Sequence, residues 1–303
     1  MNKNGTLWYD TDNNSIQAHG GMIMFHEGIY YWYGENKDGA TSVAPSGDIR
    51  VDFIGISCYS SKDCVQWKNE GIVLSPSDDP THDLHKSMVC ERPKVIYNSI
   101  TKEFVMWMHI DTVDYMSARA GVAVSTSPVG PFTYVYSELP NRSDCRDLTV
   151  FQDVDKKAYL IYSSDWNKTL CITQLTEDYR HVTGSCTKAF VDQEREAPAL
   201  FYNEGMYYMI TSGCTGWYPN SALYGMASHI QARWKLIENP CLGEHARQTF
   251  YGQSAYVFKK DNQFYLLLDH WNPKELKSSG YSMLAIDIKG TELTIPFTEV
   301  TFV

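Results

Sequence analysis

Three acidic residues and one amide stand at like positions, each at the head of a short apolar run. They are Glu91 in Glu91-Arg92-Pro93-Lys94-Val95, Asp147 in Asp147-Leu148-Thr149-Val150-Phe151, Glu196 in Glu196-Ala197-Pro198-Ala199-Leu200, and Gln253 in Gln253-Ser254-Ala255-Tyr256-Val257. Carboxylates gathered in one pocket can divide acid–base work. One is kept protonated by burial and by its like-charged neighbours and gives a proton, while a second group takes one or activates water. Breaking a glycosidic bond requires such a division. Glu196 is the candidate acid, because Pro198 suits the first residues of a strand and leaves Glu196 at its entrance. Asp147 is the candidate partner that tunes and orients it. Competing readings are an ion pair of Glu196 with Arg195 or Arg92, a turn-capping role for Asp147, and a plain Glu91–Arg pair. Gln253 is neutral and reads as a hydrogen-bonding wall residue.

The elements that must position these residues repeat along the chain. Each leader precedes a turn and then an aromatic or β-branched strand, such as Phe104-Val105-Met106-Trp107, Tyr159-Leu160-Ile161-Tyr162, Met206-Tyr207-Tyr208-Met209-Ile210 and Phe264-Tyr265-Leu266-Leu267-Leu268. A fifth copy, His19-Gly20-Gly21-Met22-Ile23 before Ile29-Tyr30-Tyr31-Trp32-Tyr33, carries no carboxylate at its head, and His19 reads as a polar plug. Recurrence at intervals of roughly 50 to 70 residues is the mark of propeller blades. The chain therefore reads as all-β, a five-bladed β-propeller forming one catalytic domain over 1–303, with no attached carbohydrate-binding module expected. Its leaders at 19, 91, 147, 196 and 253 converge on the axis.

Aromatics make up 14% of the 303 residues, with 21 Tyr and 8 Trp, which suits strands and also stacking on sugar faces. Trp217 and Tyr218, with Tyr115, Trp166 and Trp271, follow blade strands and are candidates for such stacking; core packing is the competing reading. A net charge of −10 leaves no basic face for nucleic acid. No apolar run reaches the length of a membrane span. Met1-Asn2-Lys3-Asn4-Gly5 is not a leader peptide. The protein is then cytoplasmic or has lost its leader, and a secreted or periplasmic location without the leader is the expectation. The eight cysteines show no Cys-x-x-Cys or Cys/His metal spacing. Cys58 and Cys64 flank a turn and read either as a local disulfide or as buried thiols. His82, His85, His109 and His270 read as loop and channel residues. Residues 34–50, 75–90 and 238–252 read as loops, with short helical turns expected at Leu175–Arg180 and near Ser228.

Taken together, His19-Gly20-Gly21, Tyr31-Trp32-Tyr33-Gly34-Glu35-Asn36-Lys37, Glu91-Arg92-Pro93-Lys94, Arg146-Asp147-Leu148 and Arg195-Glu196-Ala197-Pro198-Ala199-Leu200 resemble glycoside hydrolase family 43, and within it the exo-β-1,3-galactanase branch. Thr211-Ser212-Gly213-Cys214-Thr215-Gly216-Trp217 and Gly252-Gln253-Ser254 extend the likeness over nearly the whole chain. The resemblance implies an inverting mechanism, with the general acid at Glu196 and its pKa modulator at Asp147. Blade one lacks the family's usual Asp base, and in this branch the glutamine at the Gln253 position is expected to orient or activate water; Glu91 is the alternative. The resemblance also implies sugar contacts at Glu91, Glu35, Tyr115, Asn167, Thr215 and Trp217. It implies a β-1,3-galactan or arabinogalactan oligosaccharide as partner and a monomeric protein. No cofactor is required and no metal site is assigned, although the family accommodates a structural Ca²⁺ in the channel. An α-L-arabinofuranosidase, a β-xylosidase and a non-catalytic sugar-binding propeller are the other readings.

Overall fold

A computed structural model describes residues 2–43, 47 and 49–302. Four-stranded antiparallel sheets follow one another along the chain. Blade I comprises His19–His26, Ile29–Glu35, Ile56–Ser61 and Lys68–Leu74, and blade II comprises Val89–Asn98, Glu103–Asp111, Arg119–Ser125 and Thr133–Glu138. Blade III is Leu148–Gln152, Ala158–Ser164, Thr169–Leu175 and Val182–Ala189. Blade IV is Arg195–Asn203, Met206–Gly213, Leu223–Ala227 and Lys235–Leu236. Blade V is Gln253–Lys260, Gln263–His270, Gly280–Lys289 and Glu292–Pro296, extended by Cys241–Leu242 running parallel to the last of these. The first strands of successive blades pack side by side, and that of blade V packs on that of blade I, so the ring closes. The result is a five-bladed β-propeller.

Strand residues alternate between faces, but each blade is covered on both, so the inner strands read as unbroken apolar runs. Val105 and Trp107 join Leu148 and Leu160 between blades II and III, while Phe104 and Met106 join Met22 and Tyr33 between blades I and II. The same division recurs around the ring, with one apolar cluster in every interface between blades. Trp32 and Trp67 are fully buried in the interface between blades V and I, where Trp8 and Tyr281 meet Trp32 edge to face.

Three local expectations are revised. Within 34–50 a small hairpin pairs Thr41–Val43 with Ile49–Val51; Ala44-Pro45-Ser46 and Asp48 lie outside the described residues. The 238–252 segment holds the Cys241–Leu242 strand and a 3-10 turn at Ala246–Tyr251. Leu175–Arg180 and the neighbourhood of Ser228 form strand ends and single turns rather than helix, closed by one bond each, Tyr179 N–H to the Thr176 carbonyl and Ala232 N–H to the His229 carbonyl. No disulfide joins Cys58 to Cys64: both are buried free thiols, in different interfaces.

Candidate active site

Each leader is aimed at the axis by its backbone. In blades I, II and IV the residue after the leader is left-handed, Gly20 at φ 58°, Arg92 at 53° and Ala197 at 52°, and the strand register shifts there by a bulge. A bulge bends its strand and redirects the side chain beside it. Blade V carries its bulge at Ser254/Tyr256, and Asp147 stands one residue ahead of its strand. In blades I, II, IV and V the second strand then places a residue opposite the leader: Glu35 opposite His19, His109 opposite Glu91, Ser212 opposite Glu196, and Asp269 opposite Gln253.

Several of these groups line a cavity of about 430 Å³, whose walls include Glu35, Glu91, Asp147, Glu196, Gln253 and Trp217. Below, the channel is filled. Arg92, fully buried Lys94 and the pair His19–Asp269 form its floor, with Lys94 Nζ donating to the Gly20 carbonyl at 2.6 Å and Gly20 N–H donating to Asp269 at 3.0 Å. The cavity is a pocket and not a through-channel.

Glu196 accepts hydrogen bonds from Gln253 Nε2 at 3.0 Å and from Asn167 Nδ2 at 3.3 Å. Burial first, then the Asp147 charge, pushes its carboxyl up to about 8; Arg92, Cys214 and Gln253 pull the other way without cancelling this. The alternative pairing with Arg195 is absent. That guanidinium turns into blade IV and donates to the Thr211 hydroxyl and carbonyl and the Ser221 carbonyl. Arg92 serves Asp147 at 2.9 Å and Gln253 Oε1 at 2.6 Å from one nitrogen, and the Ser254 carbonyl from the other.

Gln253 is committed on both sides of its amide. Its nitrogen donates to Glu196 and to Ser212 Oγ, and its oxygen accepts from Arg92 and from Trp271 Nε1 at 2.8 Å. Arg92 and Trp271 are donors only, which fixes the amide's orientation. Both sides of the Gln253 amide are thus occupied, and its nitrogen holds Glu196.

Glu91 accepts from the Tyr115 hydroxyl at 2.9 Å and lies 3.6 Å from His109 and 3.9 Å from Lys37. Burial would raise its carboxyl, but the hydrogen bond from His109 and the Lys37 charge outweigh it and hold the group at about 2. His109 is raised to about 9, because its pairs with Asp111 and Glu91 overcome the cost of burying its charge. Glu35 pairs with Lys37 at 2.7 Å; burial nonetheless raises it to about 7, against Lys37 and with Glu91 adding to the rise. Lys37 also lies 5.4 Å above the Trp217 ring, which meets Trp271 edge to face.

Of the expected residues, the pocket brings together Glu196, Asp147, Gln253, Glu91, Glu35, Tyr115, Asn167 and Trp217, together with Trp271. Thr215 is not among its lining: its hydroxyl donates to the Tyr218 carbonyl and accepts from Asn220, pinning its own loop. Trp166 is exposed and stacked by Arg146 outside the cavity, and Tyr218 is exposed as well. Lys37 and Asp111 are participants to which the sequence assigned no role, while Arg92 read as an ion-pair partner of Glu196 and His109 as a loop or channel residue. Their signal was polarity at the end of apolar strands, as in Trp107-Met108-His109-Ile110-Asp111.

One donor atom each from Glu91, His109 and Asp147 lies within 4.8 Å of the others. The set does not suit Ca²⁺, which takes six to eight oxygens, since His109 bridges two carboxylates and Arg92 occupies Asp147.

Comparison with known proteins agrees with this geometry. The model of glycosyl hydrolases family 43 matches residues 21–283. A family 43 β-1,3-galactosidase, BT3683, solved with galactodeoxynojirimycin, is 39% identical with TM-score 0.93, over 99% of this chain and 100% of that one. An exo-β-1,3-galactanase from Clostridium thermocellum is 37% identical with TM-score 0.87, over 97% of this chain and 65% of that one. An exo-β-1,3-galactanase from Phanerochaete chrysosporium, solved with galactose, is 34% identical with TM-score 0.88, over 97% and 66%. The chain thus spans about two-thirds of the length of the last two. Among curated proteins nothing matches. Among the described residues no helix is long and apolar enough to cross a membrane.

Proposed function

The chain belongs to glycosyl hydrolases family 43, and from that membership and the geometry of its pocket we propose that it is an exo-acting, inverting β-1,3-galactosidase working on the β-1,3-galactan backbone of arabinogalactan. The observation that carries the reading is Glu196: a carboxyl pushed up to about 8 at the wall of a pocket closed from below. Exo-action is supported by the likeness to the exo-β-1,3-galactanases named above. The galactan substrate is supported by the likeness to the β-1,3-galactosidase and exo-β-1,3-galactanases named above.

Glu196 is the general acid. It enters the cycle protonated near neutral pH and gives its proton to the glycosidic oxygen as the bond to the anomeric carbon breaks. Asp147 keeps that proton in place by its charge, and Arg92 pairs with Asp147 and fixes its position. Gln253 and Asn167 orient the acid, with the Gln253 amide N–H on Oε1 and that of Asn167 on Oε2. Glu91, anchored by Tyr115 and His109, is a fixed anion for binding sugar hydroxyls. Trp217 and Trp271 supply the apolar wall.

The test is hydrolysis of β-1,3-galactobiose followed by NMR, where inversion delivers α-galactose first. Glu196→Gln is expected to lose about 10²- to 10⁴-fold in kcat, the worth of a positioned acid. It should lose much less on a dinitrophenyl β-galactoside, whose leaving group needs no proton. Undiminished turnover of galactobiose by Glu196→Gln would remove the assignment, and a panel of aryl glycosides decides between galactoside, arabinofuranoside and xyloside.

A further inference from the structure

The second strand of blade II ends in Trp107-Met108-His109-Ile110-Asp111. His109 and Asp111 are two residues apart and so share a face of the strand. Both are buried, yet only His109 reaches the pocket wall. A buried charge persists only where hydrogen bonds or an opposite charge replace the water it has lost, and Asp111 has both.

Its Oδ1 accepts the backbone N–H groups of Thr112 at 2.9 Å, Ser117 at 2.8 Å and Ala118 at 2.9 Å, so one oxygen closes the whole 112–118 loop. Its Oδ2 accepts from His109 Nε2 at 2.9 Å. The ring and the N–H donors hold this carboxyl below its ordinary range in spite of burial. The loop passes through left-handed backbone at Tyr115, φ 55°, and Ala118, φ 44°. Non-glycine residues keep that conformation where their surroundings impose it, and the Asp111 carboxylate does so here. The far end of the loop is tied to blade III, where the Ala118 carbonyl accepts from Cys145 N–H at 2.7 Å.

Two arms leave Asp111 and meet again at Glu91. Through the loop, the Tyr115 hydroxyl reaches Glu91 Oε1 at 2.9 Å. Through the ring, His109 Nδ1 stands 3.6 Å from Glu91 Oε2. Both ring nitrogens thus face carboxylates, and only the imidazolium has a proton for each. A neutral ring would turn a lone pair on one of two anions. Lys37, 3.9 Å from Glu91, is closer to Glu35 at 2.7 Å, which leaves His109 as the cation set against Glu91.

We propose that Asp111, outside the pocket lining, is a positioning residue for sugar binding: it sets His109 as a cation against Glu91 and folds the loop that brings Tyr115 to the same carboxylate. The role rests on the glycosidase reading above, in which Glu91 accepts from sugar hydroxyls. A carboxylate fixed at both oxygens meets the sugar without first being ordered, and so binds it more tightly. The titratable groups facing His109 are Asp111 on its own strand, Glu91 on the strand beside it, Tyr115 on the loop and Asp147 at the entrance to blade III. Burial works against the ring's proton, but the bonds to Asp111 and Glu91 outweigh it and raise the ring to about 9. Sugar binding is then fully supported below that pH and weakens as the pH rises through it.

The test is calorimetry of β-1,3-galactobiose on the whole chain carrying Glu196→Gln, in which the acid neither cleaves nor titrates. Affinity should hold through neutral pH and fall as the pH rises through about 9. Adding Asp111→Asn should weaken binding about 10- to 100-fold, the worth of a hydrogen bond to a charged group. It should also start the alkaline fall at lower pH, because the ring has lost a partner that holds its proton. With Glu196 restored, Asp111→Asn should raise KM and leave kcat as it was. Unchanged affinity, an alkaline fall that stays where it was, or a loss confined to kcat overturns the proposal. If Asp111→Asn does not fold, His109→Gln decides: its amide cannot titrate, so the alkaline fall should disappear, and a fall that persists overturns the proposal. A Glu196→Gln chain without affinity for galactobiose at any pH would instead sink the functional reading itself.

Discussion

At the scale of single residues, the site is defined by which carboxylates can be neutral. Glu196 is raised by burial and by Asp147, while Gln253 donates to its ionised form and draws it down. The two neighbours thus push in opposite directions. Asp147→Asn removes the negative charge, so Glu196 ionises more readily and the alkaline limb of kcat moves to lower pH. Gln253→Ala removes a donor to the carboxylate, so the same limb moves to higher pH, with kcat lowered because the acid loses its anchor. Profiles of kcat against pH for the two variants measure both shifts; a shift in the same direction for both would contradict the assignment of Glu196 as the acid. The sequence made these carboxylates visible as repeat leaders. It could not show that Arg92, adjacent to Glu91 in the chain, serves Asp147 and Gln253 instead. That choice is made by a left-handed backbone at Arg92 and by neighbouring blades far away in sequence.

At the scale of elements, the bulge after the leader is the device that builds the site. Gly20 and Ala197 hold equivalent left-handed positions in blades I and IV, yet only one is glycine. At Gly20 a side chain would meet both the strained φ and the Glu35 carboxylate. Gly20→Ala is expected to destabilise by about 1–3 kcal/mol and to lower kcat/KM by displacing Glu35 from the pocket wall. Ala197→Gly relieves a strain of about 1 kcal/mol and should raise the urea midpoint without a gain in activity. Urea unfolding followed by tryptophan fluorescence compares the two, and a stabilising Gly20→Ala would refute the steric argument. Gly21 is required for a different reason: a Cβ there would lie 1.7 Å from the Tyr33 carbonyl oxygen, so the two strands could not pair as they do.

At the scale of the whole molecule, the ring is closed by packing and by the N-terminal segment rather than by a strand shared between blades. Asn4 donates to the Thr298 carbonyl and the Thr301 hydroxyl and accepts from the Met283 N–H, while the Tyr281 hydroxyl donates to the Ile16 carbonyl and accepts from Ala18 N–H. Trp8 and Trp32 pack around the same tyrosine. Asn4→Ala leaves the buried Met283 N–H without an acceptor and should cost about 1–3 kcal/mol. It should lower the urea midpoint while kcat at low denaturant stays unchanged, since Asn4 does not touch the pocket. An unaltered midpoint would show that the closure depends on the aromatic contacts alone.

The sequence by itself determined the number of blades, because doubly buried sheets demand apolar strands at a recurring interval, and it marked the polar residue that opens each one. It also marked Glu196 and Asp147, whose carboxyls stand out at the heads of apolar runs. Which way each side chain points, and which partner it meets, was decided only by the tertiary structure. The four partners of the Gln253 amide, and the bonds that pin Thr215 within its own loop, appear only once tertiary hydrogen bonds are placed. Glu35 sits at the end of a second strand, and only cross-strand pairing puts it over Gly20. Such contacts join residues from separate strands and blades, and spacing along one chain carries no record of them.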